Sequence, residues 1–167
     1  MNKHTLIIGY GNADRQDDGV GWHVIKILAE KLGYAISEDP GSFVEIKDET
    51  ADLLFSLQLY PEMAEIIAQY DRVCFVDAHT ANISEEISWE ELHPEYDKSP
   101  LTHLVSPKTV LMITSTLFNH APEAILISIR GYQFQFERDL SNKTAHLVAK
   151  AIDMIWDWLL FEKRPKM

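Results

Sequence analysis

Apolar positions along the chain fall into two rhythms. Strand-length apolar runs recur at His4 to Gly9, around Leu53 to Leu57, at Arg72 to Asp77 and at Ala124 to Arg130. Between or after them, apolar residues return every three or four positions, first in Val20, Val24, Ile25, Ile27, Leu28 and Leu32, which predicts a helix packed back on the first strand. Strands alternating with helices predict a parallel-rich sheet with helices on both faces. Pro61 is placed as the first helical residue before Glu62 to Ile67, since its fixed φ suits a first turn. Ser106 with Pro107 makes a stronger start, for a helix carrying Val110, Leu111, Ile113 and Leu117. Ser141 can cap the last helix, whose predicted stripe is Ala145, Val148, Ile152, Ile155, Trp156 and Leu159. Phe43 to Lys47 alternates like an edge strand but sits among Ser, Gly, Asp and Glu, so a loop fits as well. Ile87-Ser88-Trp89 reads as a short hairpin arm in the long connection from Asp77 to Ser106, punctuated by His93-Pro94 and Ser99-Pro100. Connections longer than about 12 to 15 residues are often functional, and this one ends near His103.

Composition narrows the picture. A length of 167 residues with 46% hydrophobic content supports one well-buried core and predicts a single domain over 1–167. The 26 acidic against 15 basic side chains disfavour nucleic acid and anionic membrane surfaces. The one cysteine, Cys74, lies inside an apolar run, so the expectation is a buried thiol in a reducing compartment. The opening apolar run is too short for a signal peptide and no stretch approaches the ~20 apolar residues of a membrane span. A cytoplasmic protein without membrane insertion is expected.

The first strand breaks into Gly9-Tyr10-Gly11-Asn12, followed by Asp17-Asp18-Gly19-Val20-Gly21. A dinucleotide fingerprint needs a third glycine three positions after the second, and that position is Asp14. Asp14, Asp17 and Asp18 also put negative charge where a phosphate should sit. A cation suits the same place, and so does the plainer reading in which Asp17 or Asp18 caps the following helix.

Ligands of open doubly wound sheets bind outside the carboxyl ends of the strands, and three residues map there. Asp18 follows the first strand, Asp77 ends the buried run from Arg72, and His103 precedes the helix capped at Ser106. Two carboxylates and an imidazole without thiolate make an open site for nickel, zinc or a similar divalent ion. A structural histidine beside an apolar helix is the plain alternative for His103. His79, two residues beyond Asp77, reads as a loop histidine in solvent with the cleft as the alternative, and His23 and His146 as surface or partner-satisfied residues. The aromatic end, Ile155 to Phe161, reads as a core helix with a wet edge, and Glu85, Glu86, Glu90, Glu91 and Glu95 as a solvated acidic surface.

Four blocks in order resemble the hydrogenase maturation proteases: Gly9 to Asn12 with Asp17 to Gly21, then Gln58 to Ala64, then Val76-Asp77-Ala78, then Thr102 to Pro107. The resemblance covers most of the chain. It implies a three-layer α/β/α sandwich with a mostly parallel central sheet, of the phosphorylase/hydrolase-like kind. It implies an endopeptidase that trims the carboxy-terminal tail of a nickel–iron hydrogenase large-subunit precursor once nickel is in place. By motif position, the family's metal-binding trio falls on Asp18, Asp77 and His103. Nickel then belongs to the substrate's centre, and no organic cofactor is expected. A nickel-recognising accessory protein that binds a metallated partner without cutting it is the alternative. The chain departs from the pattern at one place: Gln58-Leu59 stands where well-studied members carry a Gly-Gly-Thr-type turn lining the cleft.

Overall fold

The most continuously apolar runs become the middle of one sheet. In the computed structural model, which describes residues 3–41, 43–96 and 105–161, these are β1 (Thr5–Tyr10), β3 (Asp52–Ser56), β4 (Arg72–His79) and β6 (Glu123–Arg130). Two further strands, β2 (Phe43–Ile46) and β5 (Ile87–Leu92), complete a six-stranded order β2-β3-β1-β4-β6-β5. The four central strands pair in parallel and the two outer ones antiparallel. Strands covered on both faces must be apolar over most of their length, which is why the central four read so clearly.

The alternating stretch from Phe43 is therefore an edge strand. Ile87-Ser88-Trp89 is not a separate hairpin arm. It begins a six-residue strand that runs from the Ile87–Ile129 pair to the Leu92–Ala124 pair along β6. Without it, the outer edge of the buried β6 would leave a row of backbone donors and acceptors unpaired.

Helices cover both faces. On one, α1 (Val20–Lys31) and α4 (Asn142–Phe161) pack on Ile7, Cys74, Val76 and Ile127. On the other, α2 (Met63–Ile67) and α3 (Pro107–Phe118) pack on Leu6, Ile8, Val73 and Phe75. Each fully buried aliphatic side chain in these layers contributes about 1.5 to 3 kcal/mol relative to exposure. The result is the three-layer α/β/α arrangement with a mostly parallel sheet.

Helix starts follow local chemistry. Ser106 is extended and its Oγ accepts from the Thr109 N–H at 3.2 Å, with Pro107 as the first helical residue. Pro61 does not start α2: it occupies the second position of a turn closed by the Met63 N–H on the Tyr60 carbonyl at 3.0 Å, and the helix begins at Met63. The stripe of α4 is shifted, with Thr144, Leu147 and Ala151 inside and Ala145 exposed. Leu117 is 69% exposed, because the apolar cluster under α3 ends with Val110 and Leu111 and the last turn projects beyond it. Cys74 is buried within β4, and burial pushes its thiol well above the usual range. At the end of α4, Trp158 is half-buried under the Arg72 guanidinium while Phe161 is exposed. No helix among the described residues is long and apolar enough to cross a membrane.

Candidate functional site

The glycine pairs of the first block are two halves of one contact. A Cβ on Gly9 would lie 2.3 Å from the Gly21 carbonyl oxygen, and one on Gly21 would lie 2.5 Å from the Tyr10 nitrogen. The end of β1 and the start of α1 thus meet backbone to backbone, which any side chain would prevent. Gly11 has φ +135°, and its own Cβ would lie 2.3 Å from the Asp18 carbonyl oxygen. This turn fixes Asp18 at the carboxyl edge, where its Oδ2 accepts from the Asn12 N–H at 3.0 Å. Neither the 3-10 turn Gln16–Gly19 nor α1 has a side-chain cap, so the capping role considered for Asp18 is not realised.

Asp77 comes from the neighbouring strand. One residue beyond the Gly9–Val76 pair, it stands beside Tyr10 on the α2/α3 face of the sheet. Register places Ser56 next to Tyr10, Ser128 next to Asp77 and Ser88 next to Ser128, so a polar row crosses the sheet at this level. One step inward on the same face, the row is Leu54, Ile8, Phe75 and Leu126. The fold therefore changes from core to site within a single side-chain period.

Asp18, Asp77 and Tyr10 line a cleft of about 360 Å³, with Leu57, Gln58, Leu59 and Val105 among its other walls. Burial pushes the Asp77 carboxyl up to about 7; the Ala78 N–H on its Oδ1 at 2.7 Å opposes the rise, the negative charge of Asp18 adds to it, and Tyr10 opposes it. Burial raises the Tyr10 phenol well above its usual range, and the facing Asp77 charge raises it further. Two carboxylates in one cleft, the deeper of them reluctant to ionise, match the donor chemistry of a divalent cation site. Among the described residues, no group of three His, Cys, Asp or Glu side chains is placed to hold a metal ion. His103 lies outside the described residues, so the structure brings together Asp18 and Asp77.

Sequence reasoning missed the division of labour in the acidic pair. Asp17 has 0% exposure. Its Oδ2 accepts from the N–H groups of Tyr132 at 2.8 Å and Gln133 at 2.9 Å, and from the hydroxyls of Ser141 at 2.6 Å and Thr144 at 2.8 Å. Its Oδ1 accepts from the Ser141 N–H at 2.8 Å. Burial alone would raise this carboxyl, but the Ser141 hydroxyl and the surrounding N–H groups outweigh it and hold it below the usual range. Asp17 thus clamps the segment before α4 and the start of that helix, rather than capping α1. Ser141 does stand at the helix entry, its Oγ accepting from the Thr144 N–H at 3.4 Å. The Asp-Asp doublet hinted at two roles; partners more than a hundred positions away could not be read from it.

Histidines separate as well. His79 is not a solvent-facing loop residue: β4 runs two residues past Asp77, and alternation turns His79 back to the same, covered face at 4% exposure. Its Nδ1 accepts from the Ala81 N–H at 3.3 Å. His23 is satisfied by the Arg138 carbonyl, 2.9 Å from Nε2, and His146 is exposed. A larger cavity of about 510 Å³ lies beside the Asp17 clamp, lined by Gln16, Gln133, Ser141 and Lys143. Gln16 there is already paired, donating to Gln133 at 3.1 Å and accepting from the Gln135 N–H at 3.1 Å, so the chemistry points to the smaller cleft.

No protein-family model and no curated protein sequence matches this chain. Solved structures do match its fold. The hydrogenase maturating endopeptidase HybD from E. coli aligns over 96% of this chain and 93% of its own length, with 15% identity and a TM-score of 0.68. The [NiFe] hydrogenase maturation protease HycI from Thermococcus kodakarensis aligns over 94% of this chain and 92% of its own, with 20% identity and a TM-score of 0.65. A hydrogenase 2 maturation peptidase from a Thaumarchaeota archaeon aligns over 94% and 98%, with 17% identity and a TM-score of 0.62. The resemblance carried by the four sequence blocks is thus matched by a shared three-layer fold.

Proposed function

We propose that this protein is an endopeptidase that removes the carboxy-terminal tail of a nickel-loaded hydrogenase large-subunit precursor. Asp18, Asp77 and His103 engage the substrate's nickel and position the tail. The observation that carries the reading is the pairing of Asp18 with Asp77 in one open cleft, on a fold shared with proteins named for that activity. A carboxyl whose proton affinity lies near neutrality, set beside a second carboxylate, readily exchanges its proton for a cation that relieves the repulsion. The excess of acidic side chains favours the approach of a cation-bearing partner.

Incubation with a nickel-loaded large-subunit precursor tests the reading by the appearance of a shortened product. An intact precursor after prolonged incubation, with the metal shown to be in place, would exclude cleavage. Gln58 and Leu59 wall the cleft at the one place where the chain departs from the pattern of the family it resembles, which favours the second reading, an accessory protein that recognises a metallated partner without cutting it. Co-purification with the metallated precursor and no shortened product is the outcome that selects it.

A further inference from the structure

Tyr10 is the one aromatic side chain in the Gly9 to Asn12 block, and both glycines flanking it are packed against backbone. Gly9 sits under the Gly21 carbonyl and Gly11 under the Asp18 carbonyl, so the Tyr10 main chain is held from both sides. Its ring therefore leaves β1 at a fixed point, on the cleft floor, facing Asp77 from the adjacent strand. A Cβ on Gly11 would also lie 3.9 Å from Asp77 Oδ1, which puts that oxygen against the turn that carries Asp18. Ala78 donates its N–H to Oδ1, and among the described residues the phenol of Tyr10, one strand over on the same face of the sheet, is the other donor facing this carboxylate.

We propose that Tyr10 is a positioning residue, whose phenol holds the Asp77 carboxylate in one orientation beside Asp18 so that the pair offers oxygens to a single divalent cation. The inference rests on the reading of Asp18 and Asp77 as the cation-facing pair. Donors behind a ligating carboxylate fix its orientation, and losing one weakens metal affinity by about ten- to a hundredfold. Tyr10 acts through Asp77, so its contribution vanishes when Asp77 can no longer serve as a ligand.

The test is a titration of the full chain with Ni²⁺ alone, followed by calorimetry and by tyrosine ultraviolet difference absorption, for wild type, Tyr10→Phe, Asp77→Asn and the double variant. Tyr10→Phe keeps the ring and is expected to melt with the wild type while binding Ni²⁺ on the order of tenfold more weakly. Ni²⁺ should perturb a tyrosine signal in the wild type that is missing from Tyr10→Phe. In the Asp77→Asn background, Tyr10→Phe should add no further loss. Unchanged affinity in Tyr10→Phe, an equal loss in both backgrounds, or no Ni²⁺ binding by the wild type would each overturn the proposal. Should Tyr10→Phe melt early, Tyr10→Trp, which also keeps an aromatic floor without the phenol, must reproduce the affinity loss or the proposal fails. Precursor processing is scored separately: Ni²⁺ binding organised by Tyr10 with an uncut precursor keeps this inference and removes the endopeptidase reading.

Discussion

Asp17 and Asp77 are both carboxylates drawn out of water near the carboxyl end of one sheet, and the fold treats them oppositely. Five donors surround Asp17 and hold its carboxyl below the usual range. Among the described residues Asp77 has the Ala78 N–H and the Tyr10 phenol as donors, and burial, with the charge of Asp18 added, lifts its carboxyl to about 7. Burial pushes both carboxyls up and is the main cause of the rise at Asp77, where the charge of Asp18 adds to it; at Asp17 the donors outweigh burial and reverse the direction. A carboxylate needed by the scaffold is saturated with donors, whereas one left underserved beside another acid is poised for a cation.

The largest effect should come from the scaffold acid. In Asp17→Asn, four charge-assisted bonds to one oxygen become neutral, and an amide placed at the other oxygen's position faces the Ser141 N–H. Equilibrium denaturation should show a loss of about 2 to 4 kcal/mol, built from charge-assisted bonds worth about 1.5 to 3 each. A loss below about 0.5 kcal/mol, the range of ordinary surface changes, would erase the contrast between the two acids.

Made at Asp77, the same exchange should have the opposite sign. A folded-state carboxyl at about 7 binds its proton more tightly than the unfolded chain's, which titrates at an ordinary value of about 4. Between those values the native state holds more protons than the unfolded state, so stability falls as pH rises through the window. Asp77→Asn has no such penalty. Its stability relative to wild type should therefore grow from about pH 4 to pH 7, by up to a few kcal/mol, and level off above. Processing of a metallated precursor should be abolished. A difference that stays flat with pH, or a destabilised variant that still cleaves, would show Asp77 to be a scaffold acid like Asp17.

How much of this was legible follows from where the information sits. The central strands were readable because Val73-Cys74-Phe75-Val76 and Thr5-Leu6-Ile7-Ile8 are apolar on both faces, a local property. The Ser106 cap was readable because its partner is three residues away. Asp77 near the carboxyl edge was readable from the end of the apolar run, although the strand itself continues to His79, and its company with Asp18 from the rule that places ligands at that edge. The pairing of β5 with β6 was not, because an edge strand is defined by its neighbour more than by its own alternation. Nor was the clamp on Asp17, whose donors at Tyr132, Gln133, Ser141 and Thr144 arrive from the far end of the chain. His79 was misjudged because the strand continued two residues past Asp77.

The smallest change sharpens the contrast from within the clamp. Ser141→Ala removes the hydroxyl that donates to Asp17 at 2.6 Å and accepts from the Thr144 N–H at 3.4 Å. Asp17 keeps its other four donors, so the charge stays satisfied and the expected loss is only about 1 to 2 kcal/mol, the usual worth of a cap or a charge-assisted bond. The pH dependence carries more information than the size. Asp17 is held below the usual carboxylate range, so its stabilising contribution is complete above that range and is lost as pH falls through the lowered folded value. Without the Ser141 hydroxyl, first among the donors that lower it, the folded value should move up toward the ordinary one. Acid unfolding of Ser141→Ala should then begin at higher pH than in wild type, with curves parallel near neutrality. An acid limb that does not move would mean that the backbone donors alone set the Asp17 charge, and that Ser141 serves the helix rather than the clamp.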